Sequence, residues 1–361
     1  MKTSAYIKQV LFISLLAGIS VLINAACVSQ KRQVNPAPVL LVANKHSNTL
    51  SFINPKTLKI IKTISTGINP HEITITPDQT LAYLSNYAPP GNTISVIDLV
   101  QQKHVKQIFT GTYTRIHGCA MSVDGRNAYF TAGQTGYLVE IDTKTNEVSR
   151  TILTHGKISH TVYISPDGKH LYVANIESKN ISVLDRVSGQ LIKMIPAGDG
   201  VEGMAFTPDG KYLWAANQTG GTITIIDVTT NEPVETIACP GMPVRIKFTA
   251  NGKLALVAGW IKEGVLTVID VKSRKELKRI RVGDFAIGVE LSPDGKRAFI
   301  GCEDSKKAEI EPGGNEVIAG PLTETQGVHV IDMKKLTVEA VIKTGSGPDP
   351  MVIWFPPGKT L

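Results

Sequence analysis

One stretch of sixteen residues constrains this chain more than its composition does: His160 to Asn175, His-Thr-Val-Tyr-Ile-Ser-Pro-Asp-Gly-Lys-His-Leu-Tyr-Val-Ala-Asn. A strand-like run meets Pro166-Asp167-Gly168 and turns back as Leu171 to Ala174. Proline presets φ for the first corner of a turn, aspartate accepts nearby backbone N–H groups, and glycine takes a left-handed corner at little cost. The stretch reads as a β-hairpin. Aligned on Asp167, copies recur at Asp78, Asp124, Asp209, Asn251, Asp294 and Pro357, in steps of 46, 43, 42, 42, 43 and 63 residues. A period near forty, with four short strands per unit, is the pattern of a β-propeller. The expectation is an all-β chain, a seven-bladed β-propeller of four-stranded antiparallel blades. Length alone would suggest two domains, but one unit cannot bury both of its faces, so a single closed ring over residues 39–361 is the better reading.

The segment before the repeats has its own logic. Lys2 and Lys8 precede an apolar run from Val10 to Ile23, and Ala25-Ala26-Cys27 follows. The run is shorter than the roughly 20 residues that a bilayer-spanning helix needs, so residues 1–26 read as an export signal. Ala25-Ala26-Cys27 resembles the bacterial lipobox, in which the cysteine is acylated. Asn24 departs from the aliphatic residue usual there, and lipidation at Cys27 and simple cleavage both stay open. Residues 27–38 are polar and proline-bearing, the composition of a linker. A periplasmic or cell-envelope location is expected, with membrane contact only through the anchor. Without residues 1–26 the net charge falls from +7 to +5, and no dense basic run or aromatic-interleaved stripe suggests nucleic acid. Cys119, Cys239 and Cys302 stand in three different units, with no Cys-x-x-Cys, and are expected to be small buried residues.

Each unit's third strand ends in an acid or amide: Asn54, Asp98, Asp142, Asp185, Asp227, Asp270 and Asp332. Seven turns of one chemistry are expected to be structural, the side chain accepting backbone N–H groups. Tyr172-Val173-Ala174-Asn175, Val183-Leu184-Asp185 and Pro208-Asp209-Gly210 resemble the YVTN-type propeller repeat. The resemblance covers roughly residues 39 to 358 and implies a fold more strongly than a function, since propellers host unrelated activities. In that family the first strand of the unit is innermost, beside the central channel. The chain begins with a second-strand sequence, Leu40 to Asn44, and ends with a first-strand sequence, Met351 to Phe355. The last blade is therefore expected to be closed by N- and C-terminal strands, which removes unpaired edges.

On this architecture the loops into the innermost strands share one face with the loops between second and third strands. Seven positions before each turn anchor stand His71, His117, His160, Glu202, Val244, Ile287 and Pro350. Three imidazoles and a carboxylate suit a divalent metal, so His71, His117, His160 and Glu202 are the candidate ligands. A structural role against the neighbouring blade is the competing reading. Arg115, Arg245 and Asp349 lie nearby, with Glu72, and Tyr87 and Trp260 occupy equivalent loops; these are candidate ligand-binding residues. The added length falls after Cys302, making Glu303 to Gln326 a long loop on the same face, either a lid or a tolerated insertion.

No triad, phosphate loop or zinc-protease motif is present, so no catalytic residue is assigned and enzyme activity stays open. The first functional reading is an exported, lipid-anchored propeller that binds a protein or small-molecule ligand on its upper face without catalysis of its own. The second rests on a resemblance to the propeller domain of haem-containing nitrite reductases, carried by Ser85-Asn86-Tyr87-Ala88-Pro89-Pro90-Gly91. It implies a haem-type tetrapyrrole held by a channel-mouth histidine. The third is a metal-dependent hydrolase or lyase with Glu202 as ligand or base.

Overall fold

The repeating sequence becomes repeating sheets because each blade is sandwiched between two others. In the third unit, β13 (His170–Asn175) buries five consecutive residues and β14 (Asn180–Asp185) four, while β15 (Leu191–Pro196) is largely exposed. Continuous burial marks a strand packed on both faces, and exposure marks the outer rim. The structure, a computed structural model, describes residues 36–303 and 326–358. Cys27, the export signal, most of the linker and residues 304–325 of the added loop lie outside the described residues.

Twenty-eight strands, numbered β1 to β28 in chain order, form seven four-stranded antiparallel sheets. The innermost strands are β4 (Pro70–Ile75), β8 (Ile116–Met121), β12 (Ser159–Ile164), β16 (Val201–Phe206), β20 (Pro243–Phe248), β24 (Ala286–Leu291) and β28 (Pro348–Trp354). They open blades 1 to 7. The last sheet has the order β28, β1 (Val39–Asn44), β2 (Thr49–Ile53), β3 (Ile60–Ser65), so the chain's two ends close the ring. Inner strand β28 packs against both β24 and β4.

The hallmark residues of the repeat turn out to be structural. Tyr172 Oη donates to Asn231 of the next blade at 2.6 Å, and Tyr83 Oη does the same to Asn146 at 2.5 Å. Asn175 Nδ2 donates to Ser182 Oγ at 2.8 Å and accepts from Ser159 Oγ at 2.8 Å. A Cβ on Gly156 would lie 2.1 Å from Asn175 Cγ, so this asparagine requires glycine opposite it. The seven third-strand acids and amides accept backbone N–H groups two or three residues on, as at Asp185 from Val187 and Ser188. Cys119, Cys239 and Cys302 are free thiols, the last two buried.

Candidate functional site at the channel mouth

The upper end of the channel is built from one backbone device used seven times. The residue before each inner strand is left-handed: Asn69, Arg115, Ile158, Gly200, Met242, Phe285 and Gly347, with φ between 49° and 72°. Its carbonyl accepts the N–H of the residue after the second strand: Tyr87, Gly133, Ile176, Gln218, Trp260, Glu303 and Lys45 respectively, at 2.8–3.3 Å. Five of these left-handed residues are not glycine, at a cost of about 1 kcal/mol each. Each inner strand then carries a one-residue register shift against its second strand near its upper end. Such bulges re-aim a side chain.

The register corrects one member of the ring. Ser159 pairs with Asn175 and Val162 with Val173; in the closing blade Pro348 pairs with Asn44 and Met351 with Val42. The equivalent of His160 is therefore Asp349, not Pro350. The C-terminal turn, Pro356-Pro357-Gly358, is offset by one residue from the Pro-Asp-Gly turns, which misled the count from Pro357. The ring reads His71, His117, His160, Glu202, Val244, Ile287, Asp349. Five neighbouring blades, 7 and 1 to 4, contribute titratable groups in unbroken succession.

These groups meet. Asp349 Oδ2 lies 3.0 Å from His71 Nδ1 and 3.1 Å from Lys45 Nζ. The His71 and His117 rings are 4.2 Å apart between centroids, and His117 and His160 3.7 Å. His117 Nδ1 donates to the His160 carbonyl at 3.1 Å, because a carbonyl can only accept. Its Nε2 is then the nitrogen with the lone pair. Arg245, from blade 5, pairs across the channel with Glu72 of blade 1, and its Nη2 lies 4.0 Å from Asp349 Oδ1. Lys45 also pairs with Glu303, whose Oε2 accepts from Trp260 Nε1 at 3.3 Å. Tyr87 stands edge-on to His71 and His117, with Arg115 over its ring at 5.8 Å. Every candidate named from the sequence within the described residues thus belongs to one mouth. Lys45 and Glu303 were missed as site residues. Aligning the residues that follow the second strands would have shown Lys45, Tyr87, Trp260 and Glu303 as one series.

Burial governs the charges. It lowers His71 to about 4, helped by the Lys45 charge, and pushes His117 and His160 well below the usual histidine range. All three are neutral at pH 7. Burial, with Asp349 adding to it, raises Glu202 to about 8, so this acid keeps its proton. Burial also opposes the Asp349 charge, but Lys45, His71 and Arg245 outweigh it and hold the carboxylate ionised. Burial opposes the Lys45 charge in turn, and Asp349 and Glu303 keep it above the ordinary lysine value. Among the described residues no group of three or more His, Cys, Asp or Glu side chains is arranged to hold a metal ion. The imidazoles pack against one another at a tilt, with 58° between the His71 and His117 planes and 33° between those of His117 and His160. Below the mouth the channel contains a cavity of about 370 Å³, lined from Glu72, Arg245 and Asp349 at the top to Phe206, Pro208 and Phe248 at the bottom.

Comparison with known proteins places this geometry. A family model described as YNCE-like beta-propeller matches residues 34–293. No curated protein matches. Among solved structures, hydrazine synthase of Kuenenia stuttgartiensis is 22% identical with a TM-score of 0.64, over 74% of this chain and 93% of that one. Dihydro-heme d1 dehydrogenase NirN in complex with DHE is 17% identical with a TM-score of 0.61, over 88% and 75%. A functionally unknown protein from Desulfotomaculum acetoxidans is 15% identical with a TM-score of 0.69, over 88% and 99%. At these identities the likeness is one of fold.

Proposed function

We propose that this chain, which belongs to the YNCE-like beta-propeller family, is an exported, lipid-tethered binding protein that takes a protein or small-molecule ligand on its upper face without catalysis of its own. One observation carries the reading. The charged groups of the mouth are already committed to one another, Lys45 with Asp349 and Glu303, and Arg245 with Glu72, while the accessible features are half-buried aromatic side chains and exposed cations, Arg115 and Lys262 among them. Arg115 over Tyr87 on one side and Trp260 beside Phe285 on the other offer stacking surfaces. Flat side chains of this kind give contact area at small entropic cost. The test is native mass spectrometry of the protein purified from its own cell envelope, beside a Tyr87→Ala, Arg115→Ala variant of unchanged circular dichroism. A bound mass lost in the variant supports the reading; a mass equally retained overturns it.

A second reading has its own support. His117 is neutral, donates Nδ1–H to a carbonyl and leaves Nε2 free of that bond, the arrangement of a metal-ligating imidazole. A haem-type tetrapyrrole would be held there by His117 or its neighbours His71 and His160, beside Tyr87. The group would supply redox chemistry. The NirN complex, named for such a ligand, shares the fold. Visible absorbance and metal content, measured on the protein purified without an affinity tag, separate the two readings. Both signals lost in a His71, His117, His160 triple-alanine variant would favour the tetrapyrrole.

A further inference from the structure

The lower face repeats its corners too, but not its charge. The corners between third and fourth strands carry Lys272 and Lys275 in blade 5, Lys334 and Lys335 in blade 6, and Lys56 and Lys59 in blade 7, all exposed. In these three blades the corners hold seven basic residues and two acids, a net +5; in blades 1 to 4 the same corners hold three basic residues and six acids, a net −3. The adjacent blades 5, 6 and 7 thus form a basic half of one flat face, opposite an acidic half. Of the six lysines only Lys335 has a carboxylate within 4 Å among the described residues, Asp332 at 3.8 Å.

Two further observations say what this half faces. The described chain joins the propeller at the edge of this half: Val39, the first residue of β1, pairs with Trp354 at the lower end of blade 7, and Trp354 Nε1 donates to the Gln79 carbonyl in the lower turn of blade 1. The described chain thus enters its first strand at the lower end of blade 7. Phe355, which follows Trp354 and donates its N–H to Gln79 Oε1, is 52% exposed, an apolar side chain on the same lower face. The basic groups are mostly lysine, a compact and strongly hydrated cation suited to a diffuse anionic surface, whereas arginine forks suit fixed carboxylates and phosphates. Six exposed lysines on the lower corners of three adjacent blades, on the face where the described chain enters, have the charge character of a juxtamembrane basic segment.

We infer that the lower face of blades 5 to 7 docks on an anionic phospholipid surface, leaving the upper mouth turned away from the bilayer. The inference deepens the tethered reading and rests on it for orientation only. The test is co-sedimentation of the exported protein with phosphatidylcholine vesicles and with vesicles containing phosphatidylglycerol. A variant carrying Lys272→Gln, Lys275→Gln, Lys334→Gln and Lys335→Gln is compared with one carrying Arg126→Gln, Lys144→Gln, Lys169→Gln and Lys211→Gln, which removes the same charge from blades 2 to 4. The first is expected to lose anionic-vesicle binding about 100-fold or more, given roughly tenfold for each one or two lysines at the surface. The second is expected to lose less than about threefold, and added salt to weaken the wild type. Binding to anionic but not neutral vesicles supports the docking face while removing the anchor. Equal binding to both vesicle types, equal losses in the two variants, or a preference for polyglutamate or heparin at matched charge overturns the inference.

Discussion

The two ends of the channel are built from the same seven repeats and differ in what is repeated. At the lower end backbone and side chain recur together: Ser165 to Asp167, Thr207 to Asp209 and Thr249 to Asn251 form one hydrogen bond at 2.6–2.8 Å. At the upper end a side chain recurs at the second strand, where Asn44, Asn86, Asn175 and Asn217 each donate to a Ser or Thr hydroxyl, but at the inner-strand position facing the mouth only the backbone recurs. The same left-handed residue, bulge and carbonyl bond present His, Glu, Asp, Val or Ile from one blade to the next. The comparison separates what holds the ring from what the ring displays. A side chain that recurs with its turn is there for the turn, and one that varies over a constant backbone is free to serve binding.

The sharpest way to break this contrast is at the inner strands. A Cβ on Gly288 would stand 1.9 Å from the Asp349 carbonyl, and one on Gly203 1.9 Å from the Val244 carbonyl. Gly288→Ala is expected to cost about 3 kcal/mol in urea unfolding, since backbone must move. Gly295→Ala in a lower turn, with nothing within 4 Å and only a φ of +66° against it, should cost about 1 kcal/mol. Equal costs would refute the close-packed ring. Next comes pH. His71, His117 and His160 have folded-state values below the unfolded 6.5, so the unfolded chain binds more protons as pH drops. Stability should fall as pH goes from about 6.5 toward 4, by about 3 kcal/mol for His71 alone at the acid end. Glu202, raised to about 8, works oppositely: its contribution is present below about 4.5 and lost as pH rises through 8. Thermal melts of Glu202→Gln should therefore lose less stability on the alkaline side, and a triple His→Gln variant should flatten the acid limb.

Smaller effects sharpen the lower end. Asp167 accepts from Ser165 Oγ at 2.6 Å and Lys169 N at 3.1 Å, so Asp167→Ala should cost about 1 kcal/mol. Asp167→Asn should be close to neutral, because Asn251 already makes both bonds. Smallest of all, Arg115→Ala should change stability by less than about 0.5 kcal/mol. If it instead unfolds the chain, the rim is structural and the two ends of the channel do not differ in kind.

Legibility followed locality. Turn chemistry and strand burial act within a few residues, and the recurrence of Pro-Asp-Gly exposed both, so blade number and ring closure could be read directly. His71, His117 and His160 were legible as a set for the same reason, being equivalent positions of a repeat. Asp349 was misplaced by one because its blade ends in Pro356-Pro357-Gly358 rather than Pro-Asp-Gly. Lys45 and Glu303 went unseen because their partners lie some 300 and 250 residues away around the ring.

From the sequence alone came the seven-fold repeat, the closing blade and the histidines, Glu202 and Arg245 of the mouth, all consequences of short-range chemistry copied along the chain. Only the tertiary structure decided how those groups satisfy one another. Which imidazole faces Asp349, that Arg245 crosses to Glu72, and that burial leaves the histidines neutral and Glu202 protonated depend on the approach of separate blades and the exclusion of water between them.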